Sequence, residues 1–394
     1  MKNITGPPVK GDELKFRDKD IKEMISRLAD GNSILLTGLR RIGKSSVMMG
    51  VEHNAPADWG IFYHNVEDKR LPSDLFSLFL KSLSEKDYEK LLKTWSHLKT
   101  VPSRTINLLK QSFKSLDAGG AKVELNQEII DYWHPLTTGI EQVIKEKKTP
   151  VILILDEFPF FIEHMLQDGI SKQIVEELLG LLRIWRGRHH HFRLLVGGSI
   201  SLDHILAKWD IQSSVINDFS RYFLPPFTKD EAFALLEELS IDSGLDWYDR
   251  EKIEETLCLL GDYYPFFIRS FFREIKIDNG AKPLGVIFEN YFIPSIQRGY
   301  FDQFSERLKK HYAPEQKKVA KEIFTHLSRQ PGFMAPYSQL RDVASEMALS
   351  DDFQLDELLA DLTADDFLCF QPGTSQYQFV SVLLGKWWKM TRGF

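Results

Sequence analysis

Gly38-Leu39-Arg40-Arg41-Ile42-Gly43-Lys44-Ser45 fits the pattern G-x-x-x-x-G-K-[ST], and the residues on either side decide what that pattern means. Before it runs Ser33-Ile34-Leu35-Leu36-Thr37, a short apolar stretch that reads as a buried strand. After it, Ser46-Val47-Met48-Met49-Gly50-Val51-Glu52 continues without proline as the opening of a helix. Strand, glycine loop and helix in that order make a phosphate cradle. Glycines let backbone N–H groups close around an anion, and the helix N-terminus adds partial positive charge. Gly38, Arg41, Ile42, Gly43, Lys44, Ser45 and Ser46 are the candidate nucleotide contacts. Lys44 would reach the β- and γ-phosphates, and the Ser45 hydroxyl would bind Mg²⁺.

A second stretch supplies the other half of such a site. Val151-Ile152-Leu153-Ile154-Leu155 suits a strand buried on both faces of a parallel sheet, and Asp156-Glu157 follows at once. An acidic pair there lies at the sheet edge where open α/β folds bind ligands. Asp156 would hold Mg²⁺, and Glu157 would orient and deprotonate an attacking water. From these residues the expectation is an α/β fold with a P-loop core that binds ATP or GTP and hydrolyses it.

Composition bounds the rest. A chain of 394 residues suits two or three domains, and 43% apolar residues allow a sizeable core. A formal charge of −6 and a pI near 6.0 give no global attraction to nucleic acid or anionic membrane. Met1 to Asp20 shows no apolar signal-like run, and no stretch reaches membrane-spanning length, so a cytoplasmic protein is expected. Cys258 and Cys369 sit in apolar contexts and read as reduced core residues.

Strands are expected at Ser33–Thr37, Gly60–Val66, Val151–Leu155, Phe192–Val196 and Arg221–Leu224. Helices Leu75–Leu83 and Tyr88–Leu98 and an extended piece at Lys122–Leu125 would fill the gap after the second strand. A strand between the loop strand and the acidic strand points to the P-loop class with an inserted central strand. The fourth strand runs into Val196-Gly197-Gly198-Ser199, where Ser199 is a candidate γ-phosphate sensor. Ser199 or Ser201 equally suits the N-cap of a helix at Leu202–Leu206. Pro225-Pro226 then punctuates the chain, Thr228 reads as an N-cap, and the pattern stays helical to about Leu308. Gly261-Asp262-Tyr263-Tyr264-Pro265 fits a turn leading into a helix with Pro265 at N1. From Ala313, three helices precede a hairpin around Pro372-Gly373, a winged-helix pattern. The expected division is a P-loop domain over 1–225, a helical lid over 226–310 and a winged helix over 311–394.

On these residues the chain resembles the STAND-like P-loop ATPases, specifically the archaeal-type ATPase families of archaea and bacteria. The double arginine inside the loop, Leu155-Asp156-Glu157-Phe158-Pro159, and Gly198-Ser199 after an apolar strand carry the likeness. It implies an ATP-driven switch in which nucleotide state sets the arrangement of lid and winged helix. Phe16-Arg17-Asp18-Lys19-Asp20 resembles the family's F-x-G-R-E signature beside the adenine, with Asp18, Lys19 and Asp20 in place of Gly, Arg and Glu; it makes Arg17 a candidate contact. Pro265 resembles the proline of a lid G-x-P motif that touches the base, although the nearest glycine, Gly261, lies four positions earlier. Arg221 stands where some relatives place an arginine near phosphate. ATP over GTP rests on this resemblance alone, since no guanine-reading N-K-x-D motif appears.

Three further signals bear on partners. His189-His190-His191 would project in different directions and converge poorly on a metal. Arg183, Arg186 and Arg188 beside it, like Arg40 and Arg41, are open to a role toward a neighbouring subunit, so a nucleotide-dependent homo-oligomer stays open. The segment that would be the third winged helix, with its flanks, holds seven acids (Asp351, Asp352, Asp356, Glu357, Asp361, Asp365, Asp366) and no Lys or Arg. Phosphate binding depends on cations, so this helix disfavours DNA and suits a protein partner. A basic set at Lys309, Lys310, Lys317, Lys318 and Lys321 keeps DNA open as the other reading, with the layout of AAA+ replication initiators.

Overall fold

The strand-forming runs are short, aliphatic and separated by helices, a sequence order that yields a parallel sheet with crossover connections. The computed structural model describes residues 2–81, 87, 93, 133–347 and 352–392. The extended piece expected at Lys122–Leu125, and the helix Tyr88–Leu98 apart from Lys93, lie outside the described residues.

The chain forms two compact units, one of Arg17–Thr37 with Lys44–Phe223, the other of Met1–Phe16, Gly38–Gly43 and Leu224–Phe394. In chain order the first contains α1 (Asp18–Ala29), β1 (Ile34–Thr37), α2 (Lys44–Asn54), β2 (Gly60–Asn65), α3 (Pro72–Lys81), α4 (Trp133–Glu146), β3 (Val151–Asp156), α5 (Phe158–Gln167), α6 (Lys172–Arg188), β4 (Phe192–Gly197), α7 (Leu202–Lys208) and β5 (Ser220–Phe223). All five strands join one parallel sheet in the order β2-β3-β4-β1-β5.

The inserted strand is β4, which comes after the acidic strand in sequence. The sheet thus has the inserted central strand that the sequence implied, while β2, the strand between β1 and β3 in the chain, lies at its edge. Polarity explains the sorting. Every residue of β3 and β4 is buried. β2 (Gly-Ile-Phe-Tyr-His-Asn) is half-buried along most of its length and sits at the edge, where its polar side chains find water. Phe76, Phe79, Trp185 and Phe192 pack edge-on beneath the sheet in one continuous core with its helices.

The second unit opens its helical run with α8 (Lys229–Ser243), α9 (Arg250–Leu260) and α10 (Pro265–Asp278). Thr228 caps α8 in a full capping box with Glu231, and Pro265 opens α10. A longer helical stretch, residues 284–311, contains two π turns, Phe288–Phe292 and Gln297–Phe301. Pro294 follows the first; with no N–H and a ring that crowds the preceding turn, it forces the backbone out of register there. The C-terminal part holds α11 (Pro314–Arg329), β6 (Met334–Pro336), α12 (Tyr337–Glu346), α13 (Asp352–Ala364), β7 (Leu368–Gln371), β8 (Gln376–Phe379) and α14 (Val382–Arg392). β7 and β8 form the expected hairpin. β6 adds a third, unexpected strand on its other side. Phe324, Phe367, Trp387 and Trp388 fill the core between them.

Two sequence readings need correction here. Cys258 is exposed, because α9 turns Ile253, Thr256, Leu257 and Leu260 inward and leaves position 258 outside; Cys369 is half-buried, and both thiols are free. Asp365 does not belong to an acidic surface. It is buried and accepts a hydrogen bond of 2.8 Å from the Tyr312 hydroxyl.

Candidate functional site

The glycine loop adopts the backbone its sequence requires. Gly38 (φ +139°) and Gly43 (φ +102°) occupy conformations closed to most side chains, and the Ile42 N–H donates to the Leu39 carbonyl at 3.2 Å. Arg41 also takes a left-handed φ of 69°. For a residue with a β-carbon that costs roughly 1–2 kcal/mol. Its guanidinium donates to the Gly6 carbonyl at 3.0 Å and lies 5.3 Å over the Phe266 ring, while its Nε is buried without an acceptor among the described residues. Ile42 is fully buried. Lys44 opens α2 and is 6% exposed; Ser45 beside it is half-buried and Ser46 buried. No acid stands in the first turn of α2, so its own side chains leave the positive helix end unneutralised.

Parallel pairing carries the acidic pair to the same sheet edge as the start of α2. Asp156 closes β3, 1% exposed, and both carboxylate oxygens are held. The Tyr63 hydroxyl donates to Oδ2 at 2.7 Å and the Glu157 N–H to Oδ1 at 3.1 Å. Burial first, and then the charge of Asp156, push the Tyr63 hydroxyl well above the usual phenol range, so it stays a donor. Sequence reading missed Tyr63. It sits two positions before the end of β2, and only the pairing of β2 with β3 brings it to Asp156.

Glu157 occupies a left-handed conformation (φ 60°, ψ 31°) at the N-cap of α5 without capping it. Its side chain turns instead to Ser199. The Ser199 N–H donates to Oε2 at 2.7 Å, and the Ser199 hydroxyl donates to Oε1. Gly198 makes this approach possible, since a β-carbon there would stand 2.7 Å from Pro159 Cδ and 2.9 Å from Glu157 Oε2. Burial raises the Glu157 carboxyl above its ordinary range; the two Ser199 hydrogen bonds oppose the rise, Asp156 adds to it and the charge of Lys44 opposes it. One edge of the first unit thus gathers Lys44, Ser45, Asp156, Glu157 and Ser199. Ser201 caps α7 by accepting from the His204 N–H, which separates the capping role from Ser199.

The remaining candidates are engaged with other partners or belong to the second unit. Arg17, 3% exposed, places its guanidinium 3.0 Å from Asp20 Oδ2, while Asp20 Oδ1 accepts from the Tyr222 hydroxyl at 2.6 Å. Pro265 belongs to the second unit, at N1 of α10. Arg221 forms a bidentate pair with Asp203 at 2.7 Å. Arg186 is bidentate to Asp218 and covers the Phe219 ring at 4.2 Å. His189 meets Glu141 at 3.1 Å, whereas His191 meets the Ile144 carbonyl.

These residues fit a nucleotide with Mg²⁺. The fit rests on a buried lysine that opens a helix with no acid in its first turn, the Ser45 hydroxyl beside it and a buried, fully oriented carboxylate at the same sheet edge. No protein-family model matches the chain, and no curated protein matches it. Among solved structures, a Walker-type ATPase of Pyrococcus abyssi is similar over 98% of this chain and 99% of its own, at 16% identity and a TM-score of 0.67. The ORC2 protein of Aeropyrum pernix, solved in ADPNP–ADP complexes, is similar over 100% of this chain and 98% of its own, at 12% identity and a TM-score of 0.51. At such identities the likeness speaks for the fold: the chain has the fold of the archaeal P-loop ATPases, a parallel five-stranded core followed by helical C-terminal parts.

Proposed function

We propose that this chain is a regulatory ATPase, a switch that binds ATP with Mg²⁺, hydrolyses it and acts through a protein partner. The observation that carries this reading is the hold of Ser199 on Glu157. A carboxylate whose burial raises its proton affinity suits a general base, yet both of its oxygens are occupied by one residue at the end of the neighbouring strand. The base is present and restrained, as a switch requires.

Loop N–H groups and Lys44 would hold the phosphates, and Ser45 with Asp156 would hold Mg²⁺, which when bound supplies neutralisation of phosphate charge. Tyr63 fixes the orientation of Asp156 for that task. Glu157 would accept a proton from water through a lone pair that Ser199 leaves open, with the two Ser199 hydrogen bonds fixing the orientation of the carboxylate.

Two variants test the reading. Lys44→Ala should lose ATP binding in calorimetry. Glu157→Gln should keep ATP bound and lower single-turnover hydrolysis by about 10²–10⁴-fold. Normal hydrolysis in that variant would move the base elsewhere. Chromatography with light scattering on Glu157→Gln, with ATP, ADP or neither, reports whether nucleotide changes mass or compactness.

Direct DNA action is the other reading, and the C-terminal surface speaks against it. α13 buries Leu355, Leu358, Leu359 and Leu362 and leaves Asp356 and Glu357 exposed, and residues 371–375 at the hairpin tip are exposed and uncharged. Retention on DNA that falls steeply with salt would restore it.

A further inference from the structure

Arg41 combines three features that its neighbours do not share. Its backbone is held in a left-handed conformation, its Nε is buried without an acceptor among the described residues, and its guanidinium contacts Gly6 and Phe266 of the second unit. One terminal nitrogen donates to Gly6, and the plane covers Phe266, the residue after Pro265. An orphaned N–H on a permanently charged group, in a loop shaped for phosphate, calls for an anionic oxygen.

Gly6 lies in an N-terminal segment that is itself fastened to the helical part of that unit. Lys2 O accepts from Arg269 of α10 at 2.8 Å, Asn3 donates to the Arg269 carbonyl at 3.0 Å, and Phe16 meets Phe227 edge-on at 5.7 Å. Lys15 pairs with Glu238 of α8 at 3.1 Å. Phe266 in turn stacks on Tyr300 in the second π turn. Any movement of the Arg41 side chain therefore disturbs the Gly6 carbonyl and the start of α10 together.

We propose that Arg41 reads a nucleotide phosphate through Nε and passes the bound state to residues 2–16 and to the start of α10. This rests on the nucleotide reading above and extends it: the second loop arginine is a phosphate-sensing clasp, and the N-terminal segment is its first responder.

The test is hydrogen exchange of residues 2–16 in the full chain, with and without Mg-ATP, beside calorimetric ATP affinity. Arg41→Gly is the variant of choice, because a φ of 69° suits glycine and the fold should survive, as melting curves would verify. Mg-ATP should change exchange across residues 2–8 of the wild type. Arg41→Gly should weaken ATP by about 10–100-fold, the weight of one charge-assisted hydrogen bond. It should also abolish the exchange response at saturating ATP. Arg41→Lys keeps the charge but not the planar fork, and should retain affinity better than glycine while losing the response. Unchanged ATP affinity in Arg41→Gly, a response surviving in both variants, or no response in a wild type that binds ATP would each overturn the proposal. Lys44→Ala separates the two levels. If it binds ATP normally the nucleotide reading itself fails; if it does not, a wild-type-like Arg41→Gly sinks the Arg41 clasp alone.

Discussion

Single residues at the candidate site were unequally visible in the chain. Lys44, Asp156 and Glu157 could be placed from local spacing, because each follows directly on a strand or loop with its own signature. Tyr63 could not, since its partner is 93 positions away and the contact exists only once β2 pairs with β3. Tyr63→Phe leaves Oδ2 of a buried carboxylate without its donor. The expected loss is about 1–3 kcal/mol in urea unfolding, and the Mg²⁺ dependence of ATP binding should weaken as Asp156 loses its fixed orientation. Glu157 yields a sign-determined prediction. Its folded-state pKa lies above the unfolded value, so the folded state binds the proton more tightly and stability falls as pH rises through the folded pKa. Glu157→Gln removes that dependence. The variant should therefore gain stability relative to wild type as pH rises above the ordinary carboxylate range, measured by paired melting curves; a difference that stays constant with pH would refute the burial argument.

Elements were legible wherever the local pattern was strong. The five core strands stand within a residue of where the extended apolar patterns put them, and Thr228 caps α8, as its capping sequence requires. Thr228→Ala should cost about 1 kcal/mol, read as a shift of the unfolding midpoint, with Thr228→Ser restoring most of it. β6 escaped notice because it has three residues and ends in Pro336, a composition that survives only on an edge. The place of β4 in the sheet also escaped. Chain order cannot reveal which strand the centre prefers, whereas burial of every β4 residue decides it. Periodicity likewise cannot show a π turn, since one extra residue in a helix leaves an apolar pattern that looks merely imperfect.

For the whole molecule, the order of core, helical part and C-terminal hairpin could be read along the chain. The grouping of Gly38–Gly43 with the N-terminal segment and the C-terminal two-fifths could not, because it depends on contacts across more than 200 positions. The two π turns of residues 284–311 matter at this scale. Each accommodates one more residue than an α-helix would, so relaxing either one to α geometry would spin everything downstream by about 100° and advance it about 1.5 Å. Phe304, which meets Phe367, and Arg307, which donates to the Asp365 carbonyl at 2.9 Å, lie on that downstream stretch. The pitch of the helix thus keeps the C-terminal part in phase, as the thread of a screw sets the position of its tip. Deleting the exposed Gly299 should remove the slack without changing the phase, so the protein should fold with Phe304 still on Phe367, a loss most helices would not tolerate; its melting curve would show whether the thread has been shortened or stripped.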